Sequence, residues 1–562
     1  MRMLSKGTMV ILVLSVFSLL VLAACSSGDS DAGSEAEATA VPSAAQPKVN
    51  RLIMAVVPLS GVETNELRHS SSPTVWPYRS VYDYPIALDI NTGQLMPGLA
   101  ESWSVDPDGK SLRVKLRKGV EFHGGYGEFT AKDLVAMWKD ISKEDSRHGQ
   151  SGWWASTMED VEVINDHEVV YHPVGTAYLV ESISEIQGGM EVRSSAQVEA
   201  KGGNPETLEW AHAGTGPYQF KSREPGTKIV LERAPGKHWS GVVPDFPEFE
   251  YRFMPEVSTR LASLLTGEVH MAHLPDDLLT LALSEGMETR VGIFPGVRLF
   301  GWMYCCYLNE KKNPDSGYKF PDSPLMNVKV REALNKAINR DEMNKALFNG
   351  KGLTMYLNHF NSSRPGWDES WIKRFPAAYG YDPVAAKALL AEAGYGPNNP
   401  LTTTIPLLNV TGISGGKDLA ETVTGYLEAI GVDVNLEGVD AAAFRAATRA
   451  GTVSNTIRMF GTGSSLWTGV GILNSSHTRG FTGVNVLEAE RHLLTLVATV
   501  DEAKRDAIWR DIGEAMFTNY GSIHLFWLPA EATVDPEIVG DWAFPGAITG
   551  TWTHVHNIKA AR

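Results

Sequence analysis

Two continuous apolar stretches set the architecture open to this chain. Val297 to Asn309 is apolar and aromatic throughout, with Phe300, Trp302, Tyr304 and Tyr307, and Ser522 to Leu528 is a second apolar run far downstream. A strand without polar alternation is buried on both faces or passes between two cores. The first run therefore sits inside one core or crosses between two, and the second suits a return crossing. Length predicts two or three lobes, because 562 residues exceed what one compact core accommodates.

The segment between the two runs reads as α/β. Asn327 is expected to cap one helix carrying Val330, Leu334, Ala337, Ile338 and Leu347, ended by Gly350. Asp382-Pro383 opens another, with Pro at the first helical position and Gly394 beyond its end. Leu401 to Leu408 predicts a strand, Leu419 to Ile430 a helix, and Val432 to Leu436 an alternating strand, which together make a strand–helix–strand unit. After Asp501 an amphipathic helix carries Ile508, Trp509, Ile512 and Met516. Trp542, Phe544 and Trp552 are then expected to rejoin the first lobe.

Upstream, Leu95 to Asp133 reads as a turn, a strand, a Gly turn, a second strand and a helix start. Leu112, Val114 and Leu116 alternate with Arg113, Lys115 and Arg117, and Thr130 precedes Leu134, Val135 and Trp138. Gly214-Thr215-Gly216-Pro217-Tyr218 predicts a tight turn with positive φ. Arg260 to Met271 predicts a short helix and a turn into a strand, with His270 and His273 structural. The phrases Leu95–Trp103, Phe122-His123, Gly214–Tyr218, Arg260–Met271, Ala337–Arg340, Tyr381-Asp382-Pro383 and Ile430-Gly431-Val432 stand in one order. That order resembles the family-5 extracellular solute-binding proteins, the dipeptide, oligopeptide and nickel receptors of bacterial ABC importers. Gly124 departs from the family's pattern, standing where it usually has Asp.

The resemblance implies an α/β fold of the periplasmic-binding-protein type, class II, with two lobes, three domains and two interlobe crossings. Its expected division is 49–85, 214–305 and 522–562 for the core of lobe I, 86–213 for an accessory domain and 306–521 for lobe II. It implies capture of a small solute (peptide, saccharide or organic acid) in the interlobe cleft and delivery to a permease with its ATPase subunits. Hinge closure, a monomer and no cofactor are expected with it. By the family's geometry the candidate ligand-binding residues are Trp76, Tyr78, Trp302, Arg458, Phe460, Thr462 and Trp467.

The N-terminus carries an address. Arg2 and Lys6 precede the apolar run Met9 to Leu22, too short for a spanning helix, so residues 1–24 read as a signal peptide. Leu22-Ala23-Ala24-Cys25 matches the lipobox of bacterial lipoproteins, which implies acylation of Cys25 and an extracytoplasmic protein anchored to the cell membrane. From Cys25 to residue 48 the chain is small, polar and poor in apolar bulk, the composition of a flexible tether. Cys305 and Cys306 are expected to be buried thiols, since neighbours on a strand point to opposite faces.

Other functions are weaker readings. A net charge of −16 opposes nucleic-acid binding. No paired-carboxylate, zinc or phosphate-loop pattern stands out. Gly412-Ile413-Ser414-Gly415-Gly416 matches the G-x-S-x-G elbow of serine hydrolases and makes a secreted hydrolase using Ser414 the rival. Against it, Asn409-Val410-Thr411 separates the motif from its strand, loosening the turn that would expose a nucleophile. Peptide receptors of the family place an Asp in lobe II for the peptide's ammonium. Here no Asp or Glu lies between Asp440 and Glu488, whereas Arg445, Arg449, Arg458 and Arg479 do. A neutral or anionic ligand is expected, because an unpartnered buried ammonium is costly.

Overall fold

A computed structural model of the chain describes residues 47–57, 68, 78–146, 148, 150–175, 178–186, 190–204, 208, 211–310, 313–410, 416–462, 486–546 and 552–562, with Asp276 and Thr462 described by backbone only. All of them belong to one compact unit, Ala45–Arg562. The signal segment, Cys25 and the tether to residue 46, Trp76, Ser414 and Trp467 lie outside the described residues.

One mixed sheet runs through both lobes. Its order is Val432–Gly438, Leu401–Leu407, Thr456–Thr462, Glu288–Tyr304, Ile523–Val534, Met271–Ala272, Arg51–Val56, Glu248–Phe253, Lys228–Arg233 and Tyr218–Glu224, with Leu353–Thr354 added beside Ile523–Val534. The two crossing strands, Glu288–Tyr304 and Ile523–Val534, stand between the halves. Glu288 to Val291 pair with Val534 to Glu531 on the lobe I side, while Arg298 to Tyr304 pair with Thr462 to Thr456 on the lobe II side. The ladder shifts register around Pro295, which faces Pro529. Proline supplies no amide donor, so a paired proline position is where a strand can change direction. The backbones touch here: a Cβ on Gly296 would lie 2.6 Å from the Ala530 nitrogen.

A second, four-stranded antiparallel sheet runs Ala100–Val105, Leu112–Leu116, Glu168–Pro173, Met158–Asn165. The alternation at Leu112, Val114 and Leu116 buries all three against the helix Ala131–Ile141, whose Leu134 and Met137 face them. Asp133 Oδ2 accepts the Thr130 amide at 2.8 Å, which satisfies a donor at the helix start. Parallel pairing of Leu401–Leu407 with Val432–Gly438 through the helix Gly416–Ala429 completes the expected strand–helix–strand unit. Trp542, Phe544 and Trp552 pack with Leu52, Met54 and Tyr251, so the chain end does return to lobe I.

Three local expectations are corrected. The helix capped by Asn327 ends at Lys336, and a second, Arg340–Phe348, starts where the Asn339 side chain accepts from the Glu342 amide. Gly214 and Gly216 do not have positive φ; they are small because the Ser80–Val81 backbone passes against them, and a Cβ on Gly216 would lie 2.6 Å from the Ser80 carbonyl oxygen. Cys305 and Cys306 are buried, but their sulfurs form a vicinal disulfide instead of two thiols.

Candidate ligand-binding site

Along Glu288–Tyr304 the even-numbered residues share one face of the pleat. Arg298, Phe300, Trp302 and Tyr304 therefore form a row, and antiparallel register extends it sideways. Phe300 faces Phe460, Trp302 faces Arg458, and Arg298 lies between Thr462 and Trp527. Trp302 stacks on Tyr304 with ring centres 5.2 Å apart, and Phe460 meets Phe300 at 5.7 Å and Trp302 at 5.3 Å, both edge to face. Such pairs add stability beyond the area they bury. The Arg458 guanidinium lies 4.6 Å from the Phe460 ring centre and 5.6 Å from that of Phe444, which in turn meets Tyr304. The result is an aromatic wall with cations set into it.

A turn of lobe II adds two more groups. His359 packs 6.0 Å from Phe300, and its carbonyl accepts from Arg364 Nη1 at 2.9 Å. Arg364 in turn lies over the Trp527 ring at 5.5 Å. Arg298 is 1% exposed; burial, reinforced by repulsion from Arg364, pulls its pKa well below the ordinary arginine range. Burial likewise lowers Arg364 to about 10, with Glu181 opposing the shift.

Several buried polar atoms on this wall have no hydrogen-bond partner among the described residues: Trp302 Nε1, Arg458 Nε and both ring nitrogens of His359. Buried polar groups are nearly always paired, so such a cluster is unusual. Indole and guanidinium can only donate. The wall is thus rich in donors and carries positive charge, chemistry suited to the oxygens of a neutral or anionic molecule.

Of the residues expected from sequence, Trp302, Arg458 and Phe460 meet here. Tyr78 does not join them. It is fully buried in the lobe I core, 5.7 Å from Phe220 edge to face. Backbone register puts Thr462 at the wall's edge, opposite Arg298. Sequence reasoning passed over Arg298, His359, Arg364 and Trp527. Arg298 had a signal, a lone charge inside an apolar run; the loop residues His359 and Arg364 had none.

A second polar centre lies at the seam of the accessory sheet and the lobe I core. Asp83 Oδ2 takes the Thr215 hydroxyl at 2.9 Å, His238 Nε2 at 3.0 Å and Trp239 Nε1 at 2.8 Å, while the Asp83 carbonyl accepts from the Val192 amide. A cavity of about 450 Å³ borders it, lined by 119–125, 215–217 and 233–239 with Val242, Val243 and Pro244. This cavity is confined to the first lobe; His123 Nε2 on its lining lies 2.7 Å from the Gly216 carbonyl, while His123 Nδ1 has no hydrogen-bond partner among the described residues. Among the described residues no cluster of three or more His, Cys, Asp or Glu side chains could hold a metal ion.

Two α/β lobes sharing a sheet through two crossing strands are the fold of the bacterial periplasmic binding proteins. Solved structures agree: NikA from Brucella suis in complex with Fe(III)-EDTA superposes with a TM-score of 0.73 over 91% of this chain and 99% of its own, at 21% identity. The periplasmic binding protein DppA from Helicobacter pylori, in complex with the peptide STSA, gives 0.66 over 91% and 98%, at 20% identity. The profile of the bacterial extracellular solute-binding proteins, family 5, matches residues 94–476, and the chain belongs to that family. The dipeptide-binding protein of Escherichia coli (strain K12) is 27% identical over 331 residues, 56% of this chain and 58% of its own length.

Proposed function

We propose that the chain captures a small solute between its lobes and delivers it to the permease and ATPase subunits of an ABC importer. One observation carries this reading: stacked aromatics and buried donors converge on the strand that joins the lobes. Aromatic faces take the apolar part of a ligand, while a few fixed polar groups orient it. The family and its dipeptide-binding relative support capture of a peptide or similar solute, and they lend nothing to hydrolysis at Ser414.

The same reading takes Cys25 as the lipid anchor of a monomeric, extracytoplasmic receptor, with 25–48 as its leash and the domain division given above. Fractionation tests the anchor: Cys25→Ala should move the protein from the membrane to the soluble fraction. The ligand is neutral or anionic where it meets the wall, because Arg298, Arg364 and Arg458 repel an ammonium and the segment 441–487 brings no carboxylate. Calorimetric titration with free di- to pentapeptides, their N-acetylated forms and a sugar acid such as D-galacturonate tests this. Binding should survive or improve on N-acetylation. Sub-micromolar binding of free peptides that disappears on N-acetylation would overturn the ligand class.

A further inference from the structure

His359 combines three features. It occupies the turn closed by the bridge between Leu357 and Phe360 with φ 74°, a left-handed conformation uncommon for any residue but glycine. It is 1% exposed, yet neither ring nitrogen has a hydrogen-bond partner among the described residues. Both its ring and its carbonyl belong to the wall, the ring against Phe300 and the carbonyl on Arg364. The turn alone explains the backbone but not the side chain, since glycine or asparagine would serve the turn without burying an unsatisfied imidazole.

We infer that His359 is a specificity-determining ligand contact, selecting an acid that carries a hydroxyl or amide N–H beside its carboxylate. The inference rests on the receptor reading above and narrows its ligand. On the same wall the Arg458 guanidinium and the Trp302 indole only donate, so they suit the oxygens of a carboxylate. A neutral imidazole adds what they lack, a ring nitrogen with a lone pair. A donor on the ligand satisfies it. Within a ring's width of Phe300, carboxylate and donor must lie close together on one molecule. A sugar acid and an N-blocked peptide acid share this chemistry, and an ester or a free ammonium does not fit it.

The test uses calorimetry on the full chain with D-galacturonate, an N-acetylated tripeptide acid, and the O-methylated or N-methylated form of each. His359→Gly keeps the left-handed turn and removes the imidazole; His359→Asn keeps the turn and restores a donor and an acceptor. Thermal unfolding checks that both variants fold as wild type does. The acid that binds wild type should bind His359→Gly about tenfold more weakly or worse and recover to within about threefold in His359→Asn. Methylating its donor should weaken wild type and leave His359→Gly unchanged. Equal affinity of wild type and His359→Gly for the bound acid would overturn the role of His359 while leaving the receptor reading intact. A loss in His359→Gly that His359→Asn does not repair, with discrimination against the methylated probe unaltered, would overturn it too. Failure of every probe to bind wild type would overturn this ligand class while leaving the receptor reading intact.

Discussion

Asp83 shows how one side chain joins two parts of the molecule. Three donors from the lobe I core meet on a single carboxylate oxygen, and the backbone carbonyl holds Val192 of the accessory domain. Burial alone would raise the carboxyl pKa; the hydrogen bond and charge of His238, then the bonds from Trp239 and Thr215, outweigh it and bring it below the ordinary carboxylate range. A group depressed in the folded state contributes stability above its unfolded pKa and loses it as pH falls through the folded one. Asp83→Ala should therefore cost about 2–4 kcal/mol in urea unfolding at pH 7, where three donors lose their acceptor. The gap between wild type and Asp83→Asn should narrow as pH falls below about 4. A gap that widens in acid would contradict this role. The phrase Tyr82-Asp83 was legible as a family feature, but its donors lie 132 to 156 residues further along, beyond any local pattern. The same holds at the wall, where Trp302, Arg458 and Phe460 could be picked out and the loop residue His359 could not.

At the scale of elements, period and punctuation carried most of the reading. Alternation marked the accessory strands, Asp382-Pro383 marked a helix start, and apolar continuity marked the crossing strands. Continuity also truncated them. The first crossing strand begins at Glu288, nine residues before the apolar run, because its first half is only partly buried and so mixes polar with apolar residues. The break at Ala337–Asn339 was missed because Ala337 and Ile338 continue the apolar period while the cap at Asn339 interrupts it. Glycine needs a third dimension to interpret. Gly216 is required by the passing Ser80–Val81 backbone, whereas Gly226 sits at φ 67° in open space. Gly216→Ala should cost more than about 2 kcal/mol or abolish folding, since backbone must move to admit the methyl group. Gly226→Ala should cost only about 1 kcal/mol. Denaturant midpoints of the two variants decide it, and equal shifts would refute the close-approach explanation.

Across the whole molecule, the lobes meet away from the crossing strands as well. Tyr178 of the accessory domain lies under the Arg505 guanidinium at 3.7 Å and reaches Glu502 at 3.4 Å. Arg505 is fixed by the carbonyls of Leu496 and Thr499, so the tyrosine meets a rigid partner. On the receptor reading, opening about the crossing strands breaks this contact. Tyr178→Ala should shift the unliganded protein toward open forms, seen as a larger radius of gyration in solution scattering; an unchanged profile would show that the contact does not restrain the lobes. Whether the wall on Arg298–Tyr304 holds the solute is decided by native mass spectrometry of gently purified protein incubated with the N-acetylated peptides and D-galacturonate, beside a Trp302→Ala/Phe460→Ala variant of unchanged circular dichroism. Wild type should carry one non-covalent adduct of a neutral or acidic solute, and the variant should release it at much lower collision energy or not carry it. Equal retention of the adduct by both proteins would place the ligand elsewhere.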